Sequence, residues 1–151
     1  MKISSRGLYA FKALTYLAEA YERGLVRIHE IAEHEQIPEK FLEGILVTLK
    51  NARVVASQRG REGGYRLRRP PAEIMMGEIV RITDGPLAPL GDASELAHRV
   101  RTEPRHAGLF DLFLDVRNAA SAILDHTSLA DLVERNRGVL VRRGREKKAS
   151  A

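Results

Sequence analysis

A glycine-rich turn between two strand-like runs, at residues 56–67, constrains the fold of this chain more than any other feature. The run at 54–57 contains β-branched and small residues, and residues 65–67 resume an alternation of apolar and polar side chains. Between them, Gly60, Gly63 and Gly64 allow the positive φ angles that a hairpin tip needs. The sequence therefore predicts a short β-hairpin.

Arginines occupy the tip and the return strand of this hairpin. Arg59 and Arg61 stand at the tip, and Arg66, Arg68 and Arg69 follow. A thin hairpin that ends in arginines fits the minor groove of DNA, where the electrostatic potential is most negative. Taken alone, the segment is equally compatible with an ordinary solvated basic surface.

The positive charge of the chain is concentrated in the same region. The 151 residues carry a formal net charge of +5 and a sequence pI of about 9.8, and 44% of them are hydrophobic, enough for a domain with a packed core. Residues 50–69 contain seven basic side chains and one acidic side chain. This concentration favours a polyanionic partner.

Several classes of protein are excluded or disfavoured. The chain has no cysteine, so disulfides, thiolate metal sites and cysteine nucleophiles are ruled out. No apolar run approaches the roughly 18 residues of a membrane span, and no signal-peptide pattern is present, so we expect a soluble cytoplasmic protein with no membrane partner. Phosphate-binding glycine loops and the H-E-x-x-H and G-x-S-x-G motifs are also absent, which argues against an enzyme.

Two helices joined by a short turn precede the hairpin. A first helix is predicted over residues 5–22, capped by Ser4 or Ser5, followed by a short helix at 29–35, a turn at 36–37 and a helix from Pro38 to about residue 52. This order is typical of a winged helix-turn-helix. The predicted fold class is mainly α with a small β-hairpin wing (α+β), with a winged helix-turn-helix domain over residues 1–86.

In such a domain the second helix of the motif enters the major groove of DNA. Glu43 on this helix either accepts a hydrogen bond from a cytosine amino group or forms an ordinary surface ion pair. Residues in the first turn of the first helix either meet a phosphate or only cap and solvate that helix. The predicted DNA-binding residues are Ser5, Arg6, Tyr9, Pro38, Lys40, Phe41, Glu43, Lys50, Arg59 and Arg61.

The second half of the chain is predicted to contain a loop over residues 87–107, marked by Pro89, Gly91 and Pro104, and then a long helix over 108–126. That helix has two apolar stripes, one of which can pack on its own domain while the other needs a partner subunit. The alternative is a wide-faced helix buried in one monomeric core. The predicted dimer-interface residues are Leu109, Leu112, Phe113, Val116, Ala119, Ala120 and Ile123.

A short final helix is predicted to begin after a cap at Thr127 or Ser128, so that residues 108–136 form the dimerisation helix and a short docking helix. Residues 137–151 form a basic tail, which is expected to be disordered and could add attraction to DNA phosphates.

Four stretches together resemble the Rrf-type family of bacterial winged helix-turn-helix transcription regulators. They are MKISSRGLYA, HEIAEHEQIPEKFLEGIL, SQRGREGGYRL and IMMGEIVRITDGPL, and the similarity covers roughly residues 1–90 and 109–133. The resemblance implies a homodimer on a partly palindromic operator, with the wing in the minor groove and Tyr9, Lys40, Phe41, Glu43 and Arg59 at or near the DNA. Met75 departs from the family, which often has a capping threonine there.

Sensors of this family hold an iron–sulfur cluster through three cysteines in the loop before the dimer helix. This chain offers Asp92, His98 and Pro104 at comparable spacings, and cluster ligation uses mainly thiolates, so we expect no cluster and no cofactor. Whether Asp92, His98 or His106 binds another metal stays open. The expected function is a homodimeric repressor of transcription that binds double-stranded DNA and responds to a small molecule or a regulatory protein. The alternative is a winged-helix adaptor that does not read DNA sequence.

Overall fold

The computed structural model describes residues 2–88 and 90–150. In these residues the structure has seven α-helices and one two-stranded antiparallel sheet. The elements are α1 (Ser5–Glu19), α2 (Ile28–Glu35), α3 (Glu39–Asn51), β1 (Val55–Gln58), β2 (Gly64–Leu67), α4 (Met76–Asp84), α5 (Ala93–Thr102), α6 (Ala107–Leu124) and α7 (Leu129–Ala149). Short 3-10 turns lie at Tyr21–Arg23, Pro71–Glu73 and Pro104–His106. The predicted fold class, mainly α with a hairpin wing, is confirmed.

Helix α1 is the centre of the core. Its buried face, which includes Ala10, Leu14 and Leu17, packs against α2, α3, α4 and α7. Ser4 caps the helix, because its side chain accepts a hydrogen bond from the backbone N–H of Gly7 at 3.0 Å. Helix α3 buries Leu42, Ile45, Leu46 and Leu49 against this core.

The wing (β1, β2 and the turn between them) is fastened to the helical domain. Val55 pairs with Leu67 at its base, and Gln58 pairs with Gly64 near its tip. Val26, in the connection before α2, exchanges two backbone hydrogen bonds of 2.8 Å with Tyr65. A Cβ at position 64 would overlap the Val26 carbonyl, so glycine is needed for this close approach.

Helix α4 joins the winged helix-turn-helix half of the chain to α6 and α7. Arg81 on α4 forms a two-pronged ion pair with Asp125, at 2.6 and 2.8 Å, just after the end of α6. The other end of the connection is a pair of backbone bonds, from Met76 N–H to the Thr127 carbonyl at 2.9 Å and from Leu129 N–H to the Ile74 carbonyl at 2.8 Å. The bond from Met76 gives a partner to a backbone N–H at the start of α4, because Met75 provides no side-chain cap there.

The prediction of a loop over residues 87–107 is wrong in its middle, because α5 occupies Ala93–Thr102. Asp92 caps this helix by accepting a hydrogen bond from the Glu95 N–H at 2.9 Å, and Leu96 is fully buried. The Arg99 guanidinium lies 4.6 Å from the centroid of the Phe110 ring on α6. Gly91 and Pro104 therefore flank a helix, whereas Pro89 lies outside the described residues.

Helix α6, predicted at 108–126, is confirmed at Ala107–Leu124. Its two apolar stripes have different surroundings. Phe110 is buried and Leu124 is half-buried, while Leu109, Leu112, Val116 and Ile123 are between 47% and 62% exposed. One stripe is thus covered by the chain's own residues and the other is left in solvent.

Helix α7 differs from the predicted short helix and disordered tail, because it continues to Ala149. The predicted cap is present as a capping box, in which the side chains of Ser128 and Asp131 each accept a bond from the other's backbone N–H. Every residue from Glu134 to Ser150 is exposed. The helix continues because arginine, lysine, glutamate and leucine are good helix formers, and Lys147 and Lys148 suit the negative end of the helix dipole. Within residues 2–88 and 90–150, no helix is long and apolar enough to cross a bilayer.

Candidate nucleic-acid interface

The first side of the candidate interface is the N-terminus of α1. The backbone N–H of Ser4 donates to Asp84 Oδ1 at 3.2 Å, which fixes the start of the helix on the end of α4. Ser5 and Arg6 are exposed in the first turn. The Arg6 guanidinium donates to the Thr48 hydroxyl on α3, so α1 and α3 present one continuous surface.

The outer face of α3 supplies the middle of this surface. Lys40, Glu43, Val47 and Lys50 are exposed at helical spacing, opposite the face that α3 buries. In the part of the chain that the structure describes, Glu43 has no ion-pair partner, so the surface ion pair considered for it is not formed. Its carboxylate stays free to accept a hydrogen bond.

An aromatic pair fixes the angle between α1 and α3. The rings of Tyr9 and Phe41 lie edge to face, with centroids 5.6 Å apart and planes at 84°. Phe41 is nevertheless 46% exposed, because Leu42 takes the inner position on α3. With Arg6 and Lys40, Phe41 lines a small cleft of about 190 Å³. An exposed aromatic ring held in place at this position can contact a base or a sugar.

A larger basic cleft, of about 490 Å³, separates α3 from the wing. Lys50 lines its helical wall, and Arg59 and Arg61 line its wall on the wing. The Arg27 guanidinium donates to the backbone carbonyl of Arg61 across the floor. Four cationic side chains therefore surround one concave surface, which attracts phosphate oxygens.

Three contributors to this surface were missed by the sequence prediction. Arg27 ties the wing tip to the start of α2, and His29 lines the same cleft while its Nδ1 lies 3.1 Å from Glu39 Oε2. Gly44 leaves the outer face of α3 without a side chain at its centre, where a Cβ would meet no neighbour. A glycine there costs helix stability of about 1 kcal/mol relative to alanine and permits close approach of a partner's backbone.

The structure brings most of the predicted DNA-binding residues onto one surface. Nine of the ten predicted DNA-binding residues are exposed, and Tyr9 is half-buried. Arg6, Lys40 and Phe41 share the smaller cleft, and Lys50, Arg59 and Arg61 share the larger one. Ser5, Pro38 and Glu43 lie on the exposed surface of the same elements or their caps and line neither cleft.

Helix-turn-helix, wing and basic face together define a winged helix-turn-helix protein of the kind that regulates transcription. A family model described as Rrf2, an iron-dependent transcriptional regulator, matches residues 3–135. The chain therefore belongs to the Rrf2 family and is a DNA-binding transcription regulator, not an enzyme. The resemblance inferred from the four sequence motifs is confirmed.

Individual proteins similar to this chain are also transcription regulators, both by sequence and by structure. The chain is 33% identical to the HTH-type transcriptional regulator CymR of Bacillus subtilis over 132 residues, which cover 87% of this chain and 89% of CymR. The solved structure of CymR, the global cysteine regulator of B. subtilis, matches with a TM-score of 0.72 at 31% identity, over 89% of this chain and 98% of that one. The structure of T. potens IscR matches with a TM-score of 0.69 at 29% identity, over 90% and 88%.

The iron named in the family's description does not fit the residues of this chain. With no cysteine, the thiolates that hold iron–sulfur clusters are missing. Asp92 uses one carboxylate oxygen to cap α5, and His98 lies on that helix. Among residues 2–88 and 90–150, no group of three or more histidine, aspartate or glutamate side chains is placed to hold a metal ion.

Proposed function

We propose that this protein is a homodimeric repressor that binds a partly palindromic operator without an iron–sulfur cluster. The observation that carries the proposal is the continuous exposed surface formed by the start of α1, the outer face of α3 and the wing. Every element that a winged helix-turn-helix protein applies to DNA is present on one side of the domain, and basic residues line its clefts.

In the proposed complex, α3 enters the major groove and the wing enters the adjacent minor groove. Lys40, Phe41 and Glu43, in the N-terminal half of α3, reach base edges, with Glu43 accepting from a cytosine amino group. Arg6 and Lys50 contact phosphates, which position the domain but carry little sequence information. Arg59 at the wing tip reads the narrow minor groove.

The dimer is proposed from the solvent-exposed stripe of α6. Leu112 is 56% exposed and Ile123 is 62% exposed, although both lie on a long ordered helix. Water-exposed apolar side chains in a continuous row are typical of a surface that a partner covers. Ala119, exposed in this row, and the half-buried Ala120 beside it are small enough for two helices to approach closely. A second copy of α6 would bury this stripe and place two α3 helices on successive turns of the same operator.

Operator selection from random duplex DNA tests the proposal. The full-length protein should enrich an inverted repeat, and affinity for the winning site should fall steeply with salt. The double substitution Arg59→Ala with Arg61→Ala should weaken binding by more than tenfold. Its matched control removes two exposed arginines from outside the surface, Arg101→Ala with Arg105→Ala, and should leave affinity within about twofold.

Metal analysis tests the absence of a cluster separately. Protein purified without oxygen and then treated with a chelator should bind the selected site as tightly as untreated protein. Enrichment of a single half-site, or of no sequence, would contradict the dimeric regulator and favour the adaptor. Loss of operator binding after chelation would contradict the iron-independent mechanism alone.

A further inference from the structure

A third cleft, of about 270 Å³, lies at the junction of α4, α5 and α6, away from the proposed DNA surface. Its charged lining consists of Arg81 from α4, Arg117 from α6 and Asp92 at the start of α5. The remaining wall is formed by Gly85, Pro86 and Leu87, which join α4 to α5. This small concave site has polar groups from three elements and an apolar floor, as small-molecule sites do.

The charged groups around this cleft differ in how many hydrogen bonds they form within the protein. Both terminal nitrogens of Arg81 are occupied by Asp125. Arg117 donates to the neighbouring Asn118 side-chain oxygen, at 3.1 Å, and to no carboxylate in residues 2–88 and 90–150. Asp92 Oδ1 accepts from Glu95 N–H, and its Oδ2 accepts no bond from the described chain. One guanidinium and one carboxylate oxygen thus remain available in one cleft.

We propose that this cleft binds a small zwitterion, an aliphatic α-amino acid. The ligand's carboxylate would pair with Arg117, its ammonium group with Asp92, and its side chain would lie on Pro86 and Leu87. A simple anion fits less well, because Asp92 and Asp125 balance the two arginines. A ligand with both charges satisfies the cationic and the anionic group together, and the volume suits a side chain of valine or leucine size.

The cleft is connected to the DNA surface through α4, and this part of the inference rests on the proposed function. Arg81 lies on α4 one turn before Asp84, which holds the N-terminus of α1 through the Ser4 N–H bond. Gly7 packs directly on the Asp84 carboxylate, since a Cβ at position 7 would overlap it. A ligand that shifts the end of α4 therefore shifts the first turn of α1, where Arg6 lies. The amino acid is proposed to change operator affinity in this way.

Calorimetry with L-leucine and L-valine, on the full-length protein without DNA, tests the binding site. Arg117→Gln and Asp92→Asn should each raise the Kd for the amino acid about tenfold or more. Asparagine caps helices as well as aspartate does, so Asp92→Asn removes the charge and keeps α5. Arg101→Gln, an exposed change on α5 outside the cleft, should leave the Kd unchanged. At a hundredfold excess over Kd, L-leucine should raise the Tm by about 5–10 °C.

Two matched compounds separate a zwitterion site from its alternatives. 4-Methylpentanoate lacks the amino group of leucine, and 3-methylbutylamine lacks the carboxylate, so both should bind at least tenfold more weakly. Absence of binding by leucine and valine, binding unchanged in the two cleft variants, or equal binding of 4-methylpentanoate would overturn the proposal.

Operator affinity measured with and without saturating amino acid tests the coupling. A change of at least fivefold is expected, and no change would overturn the coupling. Failure of the protein to bind any operator, with or without the amino acid, would instead count against the proposed function, because ligand binding is measured without DNA.

Discussion

Replacing Asp125 by asparagine should destabilise the protein by an amount that depends on pH. The Arg81 guanidinium, with smaller contributions from Ser121 and Arg117, lowers the pKa of Asp125 from 3.8 to about 2. A folded-state pKa about 1.8 below the ordinary value corresponds to a stabilisation of the folded protein by about 2.5 kcal/mol at neutral pH. The two side chains are 38% and 31% exposed, so solvent screening reduces the expected loss to about 1–2 kcal/mol.

The sign of the pH dependence follows from the lowered pKa. The ion pair stabilises the folded state fully above the unfolded pKa of about 4, and this contribution disappears as pH falls through 2. Urea unfolding of the wild type and Asp125→Asn should be measured at one protein concentration from pH 7 down to pH 2. The difference between their free energies of unfolding should shrink below pH 4.

Asp115→Asn, an exposed change on α6, which Asp125 directly follows, is the matched control and should change the free energy of unfolding much less. A difference in free energy of unfolding between the wild type and Asp125→Asn that stays constant down to pH 2 would refute the reasoning. The stability lost in the variant would then not come from the charge of the carboxylate.

Three further substitutions test other parts of the structure. Lys50→Ala should weaken binding to all DNA about equally and reduce the slope of log affinity against log salt by about one, as a salt titration on specific and random duplexes would show. Val116→Glu should give a monomeric mass in solution because it places a charge in the proposed seam, whereas Asn118→Glu on the same helix should stay dimeric. Gly64→Ala should lower the free energy of unfolding by about 1–3 kcal/mol in urea titrations, because its Cβ overlaps the Val26 carbonyl; an unchanged midpoint would contradict the close approach.

The winged helix-turn-helix could be predicted from sequence because its signals are local. The apolar spacing of α1 and α3 and the glycines of the wing each act over a few residues, and the structure places them as predicted. The two errors have different causes. At α7, the basic tail was treated as disordered, although its arginines, lysines, glutamate and leucine are good helix formers. At α5, Gly91 and Pro104 were treated as loop markers, but glycine and proline also mark the ends of helices. The capping by Asp92 was the missed local signal.

The candidate DNA surface was predicted residue by residue, but the contacts that assemble it were not. Pairings such as Arg6 with Thr48 and Arg27 with the Arg61 carbonyl join residues that are 42 and 34 positions apart. No periodicity or composition encodes such distances. The same holds for the cleft lined by Arg81 and Arg117, which lie 36 positions apart on α4 and α6.

The attachment of the wing through Val26 has a consequence for the thermodynamics of DNA binding. An isolated two-stranded hairpin is marginally stable in water, and a flexible one would lose conformational entropy when it entered a groove. Here Val26 adds a third backbone segment to the pair, and Arg27 holds the tip. The wing is therefore preorganised by the helical domain before DNA arrives. Most of its ordering entropy is lost during folding, so the proposed contact of Arg59 with the minor groove would add to affinity with little entropic cost.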